Sequence, residues 1–130
     1  MDCPCGSNKP YSYCCEKAHK DLSTVTTAEQ LMRSRYSAFV MANGSYLMDS
    51  HQSSTRPVKE RKSIEAWAKS VSWIRLEILD TEKGRINDQK GTVTFNAYFF
   101  ENSKVEVIHE KSEFVKEKGL WMYLGPADQY

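Results

Sequence analysis

The four cysteines of this 130-residue chain all lie within its first fifteen positions, at Cys3, Cys5, Cys14 and Cys15. That lopsided placement argues against a disulfide-stapled secreted scaffold, whose bridges would be spread along the chain. It also poses a folding problem. Residues 1–20 are polar and too few to bury a core, so something other than apolar burial has to order them. The pattern is C-x-C-x8-C-C. Four thiolates on a loop and a short return can surround a tetrahedral Zn²⁺. Gly6 lets the backbone bend after Cys5, and Pro4 and Pro10 stiffen the loop before it closes. Metal affinity then supplies the folding free energy. Three other readings stand beside zinc: reduced, unstructured thiols; bridged or redox-active cysteines; and an iron–sulfur cluster. The chain has no C-x-x-C pair for redox work, and iron–sulfur ligation is rarer at this spacing. His19 is a spare candidate ligand.

Beyond residues 21–27, a connector, the periodicity is ordinary. Thr27 with Gln30, or Thr26 with Glu29, fits a capping box. It predicts a helix over 28–42 with Leu31, Met32, Arg35, Tyr36, Phe39 and Val40 on one side, stopped by Asn43-Gly44. A short helix over 45–50 and a loop over 51–57 follow. Ser63 is the expected N-cap of the next helix, whose apolar face is Ile64, Trp67, Ala68 and Val71. The period then changes to two. Ile74, Leu76 and Ile78 share one face of a first strand, and Val93, Phe95, Ala97 and Phe99 share one face of a second. Val105–Lys116 and Leu120–Leu124 complete a set of four, joined by turns at 101–104 and 117–119. Helices first and hairpin-linked strands afterwards predict an α+β domain over 21–130, with helices on one face of an antiparallel sheet.

Charge narrows the function classes. Lys and Arg number 18 against 17 Asp and Glu, a net charge of +1, so the footprint of a nucleic-acid binder is absent. No apolar stretch approaches a membrane span. Met1–Pro4 lacks the basic and apolar regions of a secretory signal, so the expected compartment is the cytoplasm, where thiols stay reduced.

Cys3-Pro4-Cys5-Gly6-Ser7, followed by Lys9, Tyr11 and Cys14-Cys15, resembles the SEC-C motif. That zinc-binding module is known from the tail of the preprotein translocase ATPase SecA, where it contacts the export chaperone SecB. The resemblance implies Cys3, Cys5, Cys14 and Cys15 as the ligands of one structural zinc ion, with Cys15 in the place His or Cys fills in that family. Asn8 stands where Gly is commoner, and Asn tolerates positive φ. A second resemblance covers nearly the whole chain. The run Leu31-Met32-Arg33-Ser34-Arg35-Tyr36-Ser37-Ala38-Phe39, then His51, Trp67 and Trp73, then His109-Glu110-x-Ser112-x-Phe114 and Gly119-x-Trp121-x-Tyr123, is similar to the YchJ-like bacterial proteins. It implies a nuclear-transport-factor-2-like domain, a cone of helices against a curved sheet, and an outer sheet face that can form a homodimer.

Two functions follow as expectations. In the first, the chain is an adaptor whose zinc module presents Lys9, Tyr11 and Tyr13 to a protein partner, export- or chaperone-related by resemblance. A fully thiolate-coordinated zinc has no open position and should not activate water, so no catalytic residue is assigned. In the second, the cone cavity is a small-molecule-binding or enzymatic pocket for an apolar or aromatic ligand. Its candidate lining is Arg35, Tyr36, His51, Trp67 and Glu110. Arg35 interrupts the apolar stripe of its helix and is expected to pair with a carboxylate, Glu110 being the candidate. Trp73, Trp121 and Tyr123 are expected in the core.

Overall fold

The computed structural model describes residues 1–127. Its helices are α1 (Cys15–Lys20), α2 (Ala28–Val40), α3 (Gly44–Asp49) and α4 (Arg61–Ser70). They are followed by strands β1 (Ser72–Lys83), β2 (Lys90–Glu101), β3 (Lys104–Glu117) and β4 (Leu120–Pro126). The strands form one antiparallel sheet in the order β1-β2-β3-β4. The fold is therefore α+β, as expected, with helices packed on one sheet face.

The start of α2 uses the Thr27–Gln30 cap and not the Thr26–Glu29 one, since Glu29 pairs with Arg33. The Thr27 hydroxyl accepts from the Gln30 amide at 3.1 Å, while the Gln30 side chain reaches back to the Thr26 amide at 2.8 Å. The helix ends at Val40, two residues before the predicted stop. Asn43 and Gly44 do not follow that helix as a plain break. The Asn43 side chain accepts from the Tyr46 amide and caps α3, whose first residue is Gly44. The expected N-cap Ser63 lies inside α4 instead, its hydroxyl donating to the Glu60 carbonyl at 2.9 Å.

The sheet corrects one face. Trp73 pairs with Phe99 and Arg75 with Tyr98, so Ile74 is the extra residue of a bulge. A bulge reverses the side on which following residues fall. Trp73, rather than Ile74, therefore joins Leu76 and Ile78 on the inner face, and Ile74 is exposed. The two later turns need positive φ at both central positions, which two-residue hairpins of right-handed twist demand. Asn102 and Ser103 supply 54° and 63°, and Lys118 and Gly119 supply 53° and 82°. Where β1 returns into β2, Gly84 and Gly91 touch: a Cβ on Gly91 would sit 2.4 Å from the Gly84 backbone.

The core lies between α2 and the inner sheet face, around Leu31, Leu47, Val93, Phe114 and Trp121. Ala18 of α1 and Val25 of the connector join that same core. The N-terminal segment is thus seated on α2 rather than tethered beside it. The outer sheet face leaves Phe100, Val105 and Val107 exposed.

Candidate functional site

Two sites flank α2. On one flank the four cysteines converge, with their sulfur atoms all within 4.8 Å of one another. Zinc–thiolate bonds of about 2.3 Å place tetrahedral sulfurs roughly 3.8 Å apart. The Cys5 and Cys14 sulfurs stand 3.6 Å apart, so the set fits one metal ion with small adjustments. The loop is shaped for this. The Cys3 amide donates to the Lys9 carbonyl at 2.8 Å and the Gly6 amide to the Cys3 carbonyl at 3.3 Å. Gly6 and Asn8 both take positive φ, 83° and 67°, so Asn8 does the backbone work usual for glycine. Hydroxyls lie against the sulfurs: Ser7 Oγ is 3.1 Å from Cys14 Sγ, and Ser37 Oγ is 3.5 Å from Cys3 Sγ. As bare thiols, Cys5, Cys14 and Cys15 share protons unequally. The hydrogen bond with Cys15 pulls Cys5 down to about 4, while that same bond pushes Cys15 up, and burial raises Cys14. Four thiolates together need a cation to balance them.

His19 is not among the ligands. Its Nε2 donates to the Ser34 carbonyl at 2.8 Å, which leaves Nδ1 to accept from the Tyr11 hydroxyl at 2.7 Å. Burial lowers its pKa and favours this neutral form. The ring therefore latches the cysteine module to α2. Arg33 adds a second latch, donating from Nη1 to the Cys5 carbonyl at 2.7 Å. Neither contact was legible in the sequence. The signal available was Ser34 and Ser37, small hydroxyl residues one turn apart and fully buried. Tyr11 is half-buried and engaged inward, whereas Tyr13 is 69% exposed.

The other flank of α2 opens into a cavity of about 170 Å³ between helices and sheet. Met32, Phe39, Trp73, Phe95, Ala97 and Ile108 give it an apolar, largely aromatic wall. Of the five expected lining residues, Arg35, Tyr36, Trp67 and Glu110 line it. His51 does not. Its ring sits edge-on to Tyr123 at 5.0 Å, and Tyr123, not His51, faces the cavity. Burial, then Arg35 and Arg56, bring His51 down to about 4. Trp67 and Trp73 meet at right angles, 5.4 Å between centroids, and Tyr36 packs edge-on to Trp73 at 5.8 Å. Burial pushes Tyr36 up to about 12.

The expected Arg35–Glu110 pair does not form. Arg35 Nη1 donates to the Leu47 carbonyl at 2.9 Å and to Ser50 Oγ at 2.7 Å, and its guanidinium lies 4.6 Å over the Tyr123 ring. Glu110 Oε2 instead accepts from Ser112 Oγ at 2.6 Å and from the Tyr123 hydroxyl at 2.7 Å. Tyr123 thus stands between the two charges, face to the cation and hydroxyl to the anion. Its part could not be read from spacing, since β4 reaches Glu110 through sheet pairing alone.

Among the described residues no helix is long and apolar enough to cross a membrane. Residues 27–126 match the model of the YchJ middle NTF2-like domain. A UPF0225 protein of Vibrio vulnificus is 46% identical over 124 residues, covering 94% of this chain and 72% of that protein. A UPF0225 protein of Streptomyces coelicolor is 40% identical over 121 residues, covering 93% and 90%. The solution structure of a SEC-C motif containing protein from Rhodopseudomonas palustris superposes with a TM-score of 0.84 at 28% identity, over 100% of both chains. The crystal structure of a SEC-C motif containing protein from Psychrobacter arcticus gives 0.82 at 30% identity, over 100% of this chain and 84% of that one. With its four-cysteine loop seated on a helix-and-sheet cone, this chain belongs to the UPF0225 family of YchJ-like proteins.

Proposed function

We propose that this chain is a zinc-stabilised adaptor, its cysteine module docking an acidic segment of a protein partner in the reducing cytoplasm. Zinc is favoured by the donor set: four cysteine sulfurs, mostly buried, all within 4.8 Å of one another. Such a site is closed, so its work is structural. The observation that carries the docking reading is an open cleft of about 670 Å³ between the module and α2. Lys9, Lys17 and Tyr13 line it, beside the wall made by Cys14 and Cys15, and its one carboxylate, Glu29, is paired with Arg33 at 3.0 Å, which leaves the two lysines in excess. Two ammonium groups and an exposed aromatic ring suit an acidic chain carrying an apolar side group. The resemblance to the SecA tail makes an export or chaperone protein the first partner to try.

Elemental analysis of untagged protein prepared without added metal should give one zinc per chain; iron, or no metal, overturns the zinc assignment. Affinity capture should then compare wild type, Cys14→Ser, a Lys9→Glu/Lys17→Glu double variant and Tyr13→Ala. A partner lost with all three variants, and released by salt, supports docking at the cleft. A set of partners that the charge reversal leaves intact overturns it.

A second reading has its own observation. Arg35 and Glu110, opposite charges on two elements, line one aromatic cavity, which suits a small ligand held inside the cone.

A further inference from the structure

Rigid aromatic walls fix the shape of the cone cavity, and two unpaired charges fix its polarity. Arg35 is 6% exposed, and that small exposed part belongs to the cavity lining. A guanidinium so deep is normally neutralised by a carboxylate. Among the described residues it forms no ion pair. Protein oxygens take only its Nη1. No buried side-chain nitrogen or oxygen among the described residues lacks a hydrogen-bond partner, so the Nε and Nη2 donors, which have none, are open to a visitor. Arg35 stays charged at neutral pH, since burial brings it down no further than about 10. Glu110 is complementary. Its Oε2 is held by Ser112 and Tyr123, and its Oε1 has no partner among the described residues.

We infer that the cavity binds a single-ring aromatic acid bearing one further hydrogen-bond donor, in the manner of a hydroxybenzoate. The carboxylate accepts from the free N–H groups of Arg35, and the ring lies among Tyr36, Trp67 and Trp73. The hydroxyl or amine of the ligand donates to Glu110 Oε1. Size limits the ligand to one ring. A buried apolar cavity of about 150 Å³ admits benzene, and this one, at about 170 Å³, leaves room for small substituents. Charge selects the acid, because a carboxylate on a buried guanidinium gains charge-assisted hydrogen bonds that a neutral amide does not. The inference rests on the cavity reading and is independent of partner docking, which lies on the opposite flank of α2.

The test is a two-dimensional NMR titration of the metal-loaded full chain with benzoate, 4-hydroxybenzoate, benzamide and phenol. Benzoate should bind about tenfold or more tightly than benzamide, with shifts at the Trp67 and Trp73 indoles, and 4-hydroxybenzoate should bind tighter than benzoate. Arg35→Gln should remove the preference for benzoate over benzamide. Glu110→Gln should remove the advantage of 4-hydroxybenzoate while keeping benzoate binding. If Arg35→Gln does not fold, Ile108→Trp at the rim should block all four ligands, and the wild-type series decides the charge preference on its own. Equal affinity for benzoate and benzamide overturns the anion inference and leaves the cavity reading standing. No response of cavity resonances to any of the four overturns both.

Discussion

The cysteine module and the cone are ordered by opposite means. Residues 1–24 have four cysteines and a net of hydrogen bonds; the cone has an aromatic and aliphatic core in which no cysteine takes part. A region too small for a core can borrow order twice, from a metal and from a neighbour. Here the neighbour is α2, and the borrowing is mostly polar, through the Ser34 carbonyl, the Ser37 hydroxyl and the Arg33 guanidinium, with Ala18 adding an apolar contact to the core. The same helix meets the sheet chiefly through burial of Leu31, Met32 and Tyr36, with the Arg35 guanidinium over the Tyr123 ring of β4. Two kinds of cohesion therefore meet on one helix of thirteen residues.

The sharpest way to break that comparison is to take the metal away. Structural zinc contributes on the order of 10 kcal/mol to small sites. Chelation, or Cys5→Ser, should therefore raise amide exchange at least about a hundredfold across 1–24 while β2 and β3 keep their protection. Exchange rising equally in the sheet would mean that the two regions are one cooperative unit. The reverse experiment attacks the cone. Trp121 is 1% exposed and donates to the Thr26 carbonyl at 3.0 Å. Trp121→Ala should lower stability by about 3–5 kcal/mol in urea denaturation, with the folded protein still holding one metal. A smaller effect comes from the latch. His19→Ala removes two hydrogen bonds at the seam and should weaken module docking by about 1–3 kcal/mol. Metal release should then come at a lower denaturant concentration than in wild type, while the near-ultraviolet signal of the cone keeps its midpoint. The smallest effect is one of pH. His51 falls from 6.5 to about 4 on folding, so its neutral form is the folded one. Its contribution is complete above pH 6.5 and is lost as pH falls toward 4. The difference in denaturation midpoint between wild type and His51→Asn should shrink through that window; a constant difference would remove His51 from the acid response.

How much of this was legible follows from what each signal depends on. The cysteine cluster, the Thr27 cap and the hairpin turns are encoded within a few residues, so spacing reveals them. The four strands show a period of two, broken between Glu113 and Phe114, between Ile78 and Asp80, and at Ile74. There the bulge depends on how β1 pairs with β2, and a local alternation cannot report it. Arg35 announced itself by breaking an apolar stripe, and Glu110 by facing inward on β3. Their relation did not, because Tyr123 comes between them from a strand distant in sequence. His51 was placed at the rim from its position after α3, yet the tyrosine ring closes it off. His19 looked like a ligand because histidine beside cysteines usually suggests one, and only the fold shows both nitrogens engaged.

Eight of the thirteen residues of α2 are buried, on both flanks. Only its first turn, at Glu29 and Gln30, stands largely in water. If the proposed zinc were lost, the contacts to Ser34, Ser37 and Arg33 would have to hold residues 1–24 alone, and that segment would open to proteases while the sheet still stands. Susceptibility to cleavage follows the population of such partly opened forms.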